Sequence, residues 1–276
     1  MRPKQWFKNV FLFAALIFSQ QFLNLEAIVQ ALCAFGAFFA VSSSGYILND
    51  IMDIEADRAH PKKKRRPIAA GHLSVPMAYA LFAFLLIAGL GGAYRTSLYL
   101  MLVTALYLCT TLSYSFYFKH IVILDIMFIT AGFLWRVIAG AVAIDVKISP
   151  WIIVCTAFLA LFLGFNKRRG ELLLLDSNGG ETRKNLKDYS VELVRDFQAI
   201  TSSGAILSYA LYTILGPQPL LGLTLPFVLY GIFRYIYLIS EQGAGGAPDE
   251  TLLKDKPILL NGVLYLIVTV SILLWS

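Results

Sequence analysis

The chain has 276 residues, 58% of them hydrophobic and 14% charged, with a net charge of +6. A mean hydropathy of +0.70, with the apolar residues gathered in long blocks, excludes an ordinary soluble domain and marks repeated crossing of a bilayer. The excess positive charge suits anionic lipid head groups or phosphorylated substrates, and no nucleic-acid partner is expected.

A crossing needs ~20 mostly apolar residues to span ~30 Å of hydrocarbon. In chain order that length selects Val10–Phe22, Ile28–Leu48, Met77–Ala93, Leu98–Tyr114, Ile121–Ile144, Trp151–Phe165, Ile200–Leu215, Leu220–Ser240 and Ile258–Trp275. The sequence therefore predicts an all-α polytopic membrane protein with nine transmembrane helices and a single domain over residues 1–276. The first block is short and follows "MRPKQW" without a small-residue cleavage site, so it reads as a retained helix starting near Trp6, not as a signal peptide.

Cations give the orientation. With Met1 on the cytoplasmic side, the inner segments hold 19 of the 23 Lys and Arg, the outer loops hold Arg95 and Lys147, and Arg136 and Arg234 fall within crossings. This imbalance predicts the N-terminus inside and, after nine crossings, the C-terminus outside. Cys33, Cys109 and Cys155 all lie in apolar blocks and read as small buried hydrophobes. His60, His72 and His120 stand singly without ligand spacing, so no zinc site is expected.

The second block ends in "NDIMDIEADRAHPKKKRRPIAAGH". On a continuous helix Asp50, Asp53 and Asp57 fall within an arc of about 60°, with Asn49 at its border and Glu55 pointing away. Three carboxylates on one face repel unless divalent cations sit among them, and hard oxygen ligands in this arrangement suit Mg²⁺ carried in with substrate phosphates. A solvated helix end is the alternative, but it gives no reason for three Asp on one stripe. The following "HPKKKRRP" is bounded by Pro61 and Pro67 and reads as a non-helical basic loop. For Lys62, Lys63 and Lys64, fixing topology or binding anionic lipid is favoured. Arg65 and Arg66 adjoin "RPIAAG", where a guanidinium fork suits phosphate. Asp125 and Arg136 lie inside the fifth block, where charge is expensive. Arg136 either touches a substrate phosphate or orders the cavity, or else pairs with a buried carboxylate or reaches the outer interface. Arg234 reads as a snorkelling side chain.

The stretch "NDIMDIEAD" resembles the N-D-x-x-D-x-x-x-D motif of the UbiA superfamily of intramembrane prenyltransferases, placed as there at the cytoplasmic end of the second of nine helices. "RPIAAG" and "YSFYFKH", the latter with Tyr114, Ser115 and Lys119, are similar to segments of the same superfamily. The resemblance implies nine helices around a central cavity open to the cytoplasmic side, with Mg²⁺ as cofactor. Members that prenylate aromatic rings usually carry a second D-x-x-x-D motif after the sixth helix. Here that place reads "NKRRGELLLLD", which brings Lys167, Arg168 and Arg169 and leaves Glu171 and Asp176 without that spacing.

Positive charge in place of a carboxylate pair suggests a donor with an additional anionic group. The start "RPKQWFKNVFLFAALIF", "NKRRGEL" and "NLKDYS" look like the polyprenyl-phosphate phosphoribosyltransferase branch. That branch implies 5-phosphoribosyl diphosphate as donor, a polyprenyl phosphate such as decaprenyl phosphate as acceptor, and an integral protein of the bacterial cytoplasmic membrane whose active site faces the cytoplasm. On this resemblance Asp50, Asp53 and Asp57 are the metal and catalytic residues. Asn49, Lys4, Lys8, Arg65, Arg66, Tyr114, Lys119, Arg136, Lys167, Arg168, Glu171, Lys187 and Tyr189 are candidates for the substrate phosphates. A shared helical face favours the functional role of Lys4 and Lys8; competing with these roles, Lys4 and Lys8 serve as topology residues, Lys119 as a snorkelling anchor, and Glu171 as an ion-pair partner of Lys167. Membrane lipids are further partners, and a homo-oligomer is compatible with the sequence. Prenyl transfer to an aromatic or quinone precursor is the alternative reaction, and a transporter or membrane scaffold the non-enzymatic one.

Overall fold

The computed structural model describes residues 3–59, 63–178, 186, 188–242 and 254–275, and among them the regular elements are all helical. A 3₁₀ stretch, Pro3–Phe13, passes into the five-residue α1 (Ala14–Phe18). A turn with Gln20 in the left-handed region separates it from α2 (Leu25–Met52), which is capped where the Asn24 side chain accepts from the N–H groups of Glu26 and Ala27. The chain continues through α3 (Ile54–Ala59), α4 (Val75–Thr96), α5 (Leu98–Phe116), α6 (Leu124–Ala143), α7 (Pro150–Asn178), α8 (Val191–Leu215), α9 (Leu225–Gln242) and α10 (Lys256–Trp275).

These helices form two compact units, residues 1–116 with 135–147 and residues 117–134 with 148–276, so that α6 contributes its two halves to different units. In the first unit α2 and α4 approach closely because small residues face each other. A Cβ added at Gly89 would stand 2.6 Å from Val41 Cγ2 and 3.0 Å from the Ala37 carbonyl oxygen. Below this contact Ile47 and Ile51 pack with Ile68, Ala78 and Leu85 and anchor the turn after the basic loop. In the second unit one core gathers Ile126, Phe165, Leu186, Tyr189 and Val194, and another gathers Phe162, Ala205, Ile232, Tyr235 and Ile239.

Seven helical segments among the described residues are long and apolar enough to cross a membrane: α2, α4, α5, α6, Pro150–Leu173 of α7, Pro219–Ser240 around α9, and α10. They coincide with seven of the nine expected blocks, and the protein is an integral membrane protein. The other two blocks differ for physical reasons. The expected first crossing is divided between 3₁₀ stretch and α1, which leaves only Lys8–Phe18 as a short apolar helix. Its irregular backbone is held by burial of Asn9 and Leu12, three residues apart and hence on one side of a 3₁₀ turn. The seventh block became α8, long enough at 25 residues but made less apolar by buried Gln198, Thr201, Ser202, Ser208 and Thr213.

The 3₁₀ period also corrects the reading of Lys4 and Lys8 as neighbours on one face, since positions four apart are separated by about 120° at three residues per turn. Cys33 and Cys109 are exposed on their helices and Cys155 is half-buried, which corrects the expectation that all three are packed inside.

Candidate active site

The aspartate stretch lies at the end of α2. Asp53 is its C-cap (φ −92°, ψ 13°), yet its N–H still donates to the Asn49 carbonyl at 3.0 Å, and the Asp57 N–H donates to the Asp53 carbonyl at 2.7 Å. The helix is interrupted in dihedral terms but keeps its phase. Asn49 Nδ2 donates to Asp53 Oδ2 at 3.0 Å and fixes that carboxylate. Asp50 and Asp57 are tied together from outside the helix: Arg66 Nη1 donates to Asp50 Oδ1 at 3.1 Å and to Asp57 Oδ2 at 2.5 Å. Asp57 is 2% exposed, a burial that an ionised carboxylate tolerates only when paired.

The backbone beneath Arg66 is well anchored. Lys63–Arg65 makes one 3₁₀ turn, where the sequence predicts only extended or turned chain. The Arg66 N–H then donates to the Lys63 carbonyl, Ile68 and Ala69 are buried, and Arg58 Nε donates to the Ala69 carbonyl at 3.3 Å. Gly71 closes the turn at φ 78°, a conformation that favours glycine. Arg65 is exposed.

In donor chemistry the three carboxylates fit a hard divalent cation. Asp50 and Asp57 converge on one cationic nitrogen, so a point of positive charge between them is already selected. Among the described residues no three Asp, Glu, His or Cys side chains gather as a metal-holding group. Arg66, not proximity of a third ligand, completes the arrangement seen here.

A second charged cluster belongs to the other unit and is fully internal. Asp125, in the first turn of α6, is 0% exposed. Arg168 of α7 reaches it with Nε at 2.9 Å and Nη2 at 2.8 Å from Oδ2, and donates through Nη1 to Glu171 Oε2 at 2.5 Å. Tyr189 donates to Asp125 Oδ1 at 2.9 Å and accepts from the Ile123 N–H at 2.7 Å. Burial pushes the Tyr189 phenol well above its ordinary pKa, so it remains a donor. Ile123 carries φ 69°, unfavourable for a β-branched residue, at the point where this bond holds the chain. The expected Lys167–Glu171 pair is not formed; Glu171 pairs with Arg168 instead, and Lys167 is half-buried.

Arg136 also lies inside the protein, 4% exposed. Its Nε donates to Asn9 Oδ1 at 2.8 Å and its Nη2 to Tyr107 Oη at 2.9 Å, with the guanidinium 4.7 Å from the centroid of the Tyr107 ring. It joins the 3₁₀ stretch to α5 and α6. Gly140, one turn further along α6, permits this docking, because a Cβ there would lie 1.9 Å from the Leu12 carbonyl oxygen. Arg234 does not snorkel alone: its Nη2 lies 2.9 Å from Asp255 Oδ2, and its bond holds Asp255 below the usual carboxylate pKa. Lys8, Tyr114 and Lys119 are half-buried. The side chain of Lys4 and the whole of Lys187 lie outside the described residues.

Residues 10–249 match the UbiA prenyltransferase family. The chain belongs to that family. Membership makes this UbiA-family protein an enzyme and sets aside the transporter or scaffold reading. It is 36% identical over 268 residues to the decaprenyl-phosphate phosphoribosyltransferase of Corynebacterium glutamicum, covering 93% of this chain and 80% of that protein. It is 34% identical over 273 residues to the protein of the same name from Mycolicibacterium smegmatis, covering 93% and 85%. Among solved structures, a UbiA homolog from Archaeoglobus fulgidus bound to GPP and Mg²⁺ is similar at TM-score 0.72 and 16% identity, covering 98% of each chain. The apo UbiA homolog from Aeropyrum pernix K1 gives 0.69 at 16% identity, covering 99% of this chain and 98% of that one. At such identities the structures establish the shared fold.

Sequence reasoning singled out most of these residues, but not their partners. Asp125 stood out as costly charge in an apolar block. Its links to Arg168 and Tyr189 span 43 and 64 positions and have no local signature.

Proposed function

We propose that this protein transfers the 5-phosphoribosyl group of 5-phosphoribosyl diphosphate to a polyprenyl phosphate, such as decaprenyl phosphate, in a Mg²⁺-dependent reaction that releases diphosphate. The observation that carries this reading is the 36% and 34% identity, over 93% of the chain, to two proteins named decaprenyl-phosphate phosphoribosyltransferase. The place of a second acidic motif in ring-prenylating members is taken here by Lys167, Arg168 and Arg169; Arg168 is engaged by Asp125 and Glu171, and Lys167 and Arg169 support a more anionic donor.

An oxygen of the lipid phosphate attacks the ribosyl C1, the C1–O bond to diphosphate breaks, and diphosphate leaves with the electron pair. A phosphate monoester has its second pKa at ~6 and is already ionised, so no strong general base is needed. The protein's task is positioning and charge stabilisation. Asp50, Asp53 and Asp57 are the residues assigned to hold Mg²⁺, which when bound neutralises charge on the departing diphosphate. Asn49 orients the Asp53 carboxylate through its 3.0 Å bond. Lys4, Lys8, Arg65, Arg66, Lys119, Lys167 and Lys187 are the cations, and Tyr114 the phenol, assigned to the phosphates of donor and acceptor. Arg136 acts from inside by fixing the stretch that carries Lys8. Arg168 and Tyr189 act by holding Glu171 and Asp125. The distribution of Lys and Arg supports a cytoplasmic N-terminus and a cytoplasm-facing donor site in a bacterial inner membrane.

The test is incubation of the purified protein with Mg²⁺, labelled phosphoribosyl diphosphate and decaprenyl phosphate. The expected result is a labelled lipid that disappears when the metal is chelated. No labelled lipid, together with turnover of a prenyl diphosphate and 4-hydroxybenzoate, would overturn the reading in favour of ring prenylation.

A further inference from the structure

Among the described residues two arginines each bridge two carboxylates, and they differ in exposure. Arg168 is 2% exposed, sits on a helix, and spans Asp125 and Glu171. Arg66 is 24% exposed, sits on a turn between helices, and spans Asp50 and Asp57 through a single nitrogen. The first is enclosed. The second has a fixed backbone, through buried Ile68 and Ala69, and a partly solvated side chain that can leave without unfolding its turn.

We infer that Arg66 is an exchangeable internal cation, which occupies the space between Asp50 and Asp57 in the ligand-free chain and gives it up when a divalent cation enters. The inference rests on the metal reading above. Asp50 and Asp57 lie 7 positions apart, about two helical turns, and repel each other unless positive charge lies between them. Arg66 supplies that charge, with Nη1 at 3.1 Å from Asp50 Oδ1 and 2.5 Å from Asp57 Oδ2. A metal ion on the same oxygens and the guanidinium are mutually exclusive. Once displaced, the Arg66 fork is held close by its anchored turn and becomes a bidentate donor for a phosphate oxygen pair. Entry of the metal and capture of an anionic donor are thereby coupled through one side chain. Arg66 thus serves as a positioning residue in the free enzyme and a phosphate contact in the loaded one.

The experiment uses the full chain in micelles with Mn²⁺ alone, without donor, and reads bound metal by loss of the free-ion EPR signal. Removing the internal competitor in Arg66→Gln is expected to tighten Mn²⁺ binding about tenfold, equivalent to ~1.4 kcal/mol. In the unsubstituted protein, Mn²⁺ is expected to raise the rate at which an arginine-selective dicarbonyl modifies Arg66 several-fold, with Arg168 unaffected; this second measurement does not depend on the variant folding. Parent binding with no tightening in R66Q, or Arg66 labelling at an unchanged rate when metal is bound, overturns the exchange alone. If neither protein takes up Mn²⁺, the metal reading itself is lost and the exchange with it.

Discussion

Replacing Tyr189 by phenylalanine and Arg168 by methionine, singly and together, tests the internal network through stability. The Tyr189 hydroxyl is bonded on both sides, to the Ile123 N–H at 2.7 Å and to Asp125 Oδ1 at 2.9 Å, and the residue is 4% exposed. Phenylalanine preserves the ring but leaves the Ile123 N–H, on a residue 39% exposed, and the buried Asp125 Oδ1 each one partner short. At ~1–3 kcal/mol for the buried carboxylate oxygen left unsatisfied, and less for the N–H that water can reach, Y189F is expected to cost about 1–4 kcal/mol. R168M retains an unbranched chain but deprives Asp125, at 0% exposure, of the guanidinium that meets it at 2.8 Å. Breaking a buried pair on one side costs ~3–5 kcal/mol. Because both changes act through the same carboxylate, the double variant should lose less than the sum, by ~1–2 kcal/mol. The assay is equilibrium unfolding in mixed micelles followed by circular dichroism. A Y189F protein as stable as the parent, or additive losses in the double variant, would refute a network centred on Asp125.

Three further outcomes follow from the geometry. Gly140→Ala places a Cβ against the Leu12 backbone, which cannot yield as a side-chain end would, so G140A should release the N-terminal stretch to limited proteolysis; G91A, with nothing within 4 Å, should stay within ~0.5 kcal/mol of the parent. Asp50→Asn and Asp53→Asn should each lower phosphoribosyl transfer by about 100-fold or more while leaving the fold intact by circular dichroism, and unchanged turnover in either would remove that residue from the site. The lowered pKa of Asp255 gives the Arg234 pair a stabilising effect that is complete above the unfolded carboxylate pKa of ~3.9 and is lost as pH falls through the lower folded value. Asp255→Asn should remove that acid-side loss from a plot of thermal midpoint against pH, and an unaltered plot would show that the pair contributes nothing measurable.

The crossings and the aspartate stretch were readable because their signals are local. An apolar block of sufficient length has few alternatives to a membrane helix, and seven blocks became such helices. The first block did not, because its backbone follows the packing of Asn9 and Leu12 against partners far along the chain, including Arg136, which lies 127 positions from Asn9. Composition could not anticipate a 3₁₀ stretch of 11 residues, since such runs are rarely stable by themselves. In the Asp cluster, helical spacing gave the common face of Asp50 and Asp57, but the convergence of Arg66 on both needed the turn set by buried Ile68 and Ala69. The same holds for Arg168. Sequence placed it at a helix end as a cation for phosphate, and the fold turns it onto Asp125 and Glu171, whose carboxylates offset the cost of enclosing its guanidinium at 2% exposure.

Phosphoribosyl transfer is tested most directly by the identity of the lipid product. Mass spectrometry of the lipid extract after reaction with phosphoribosyl diphosphate, Mg²⁺ and decaprenyl phosphate should reveal the lipid phosphate enlarged by one phosphoribosyl group, with diphosphate released in equal amount. Recovery of the lipid unaltered, from folded protein that joins a prenyl diphosphate to an aromatic acceptor, would contradict it.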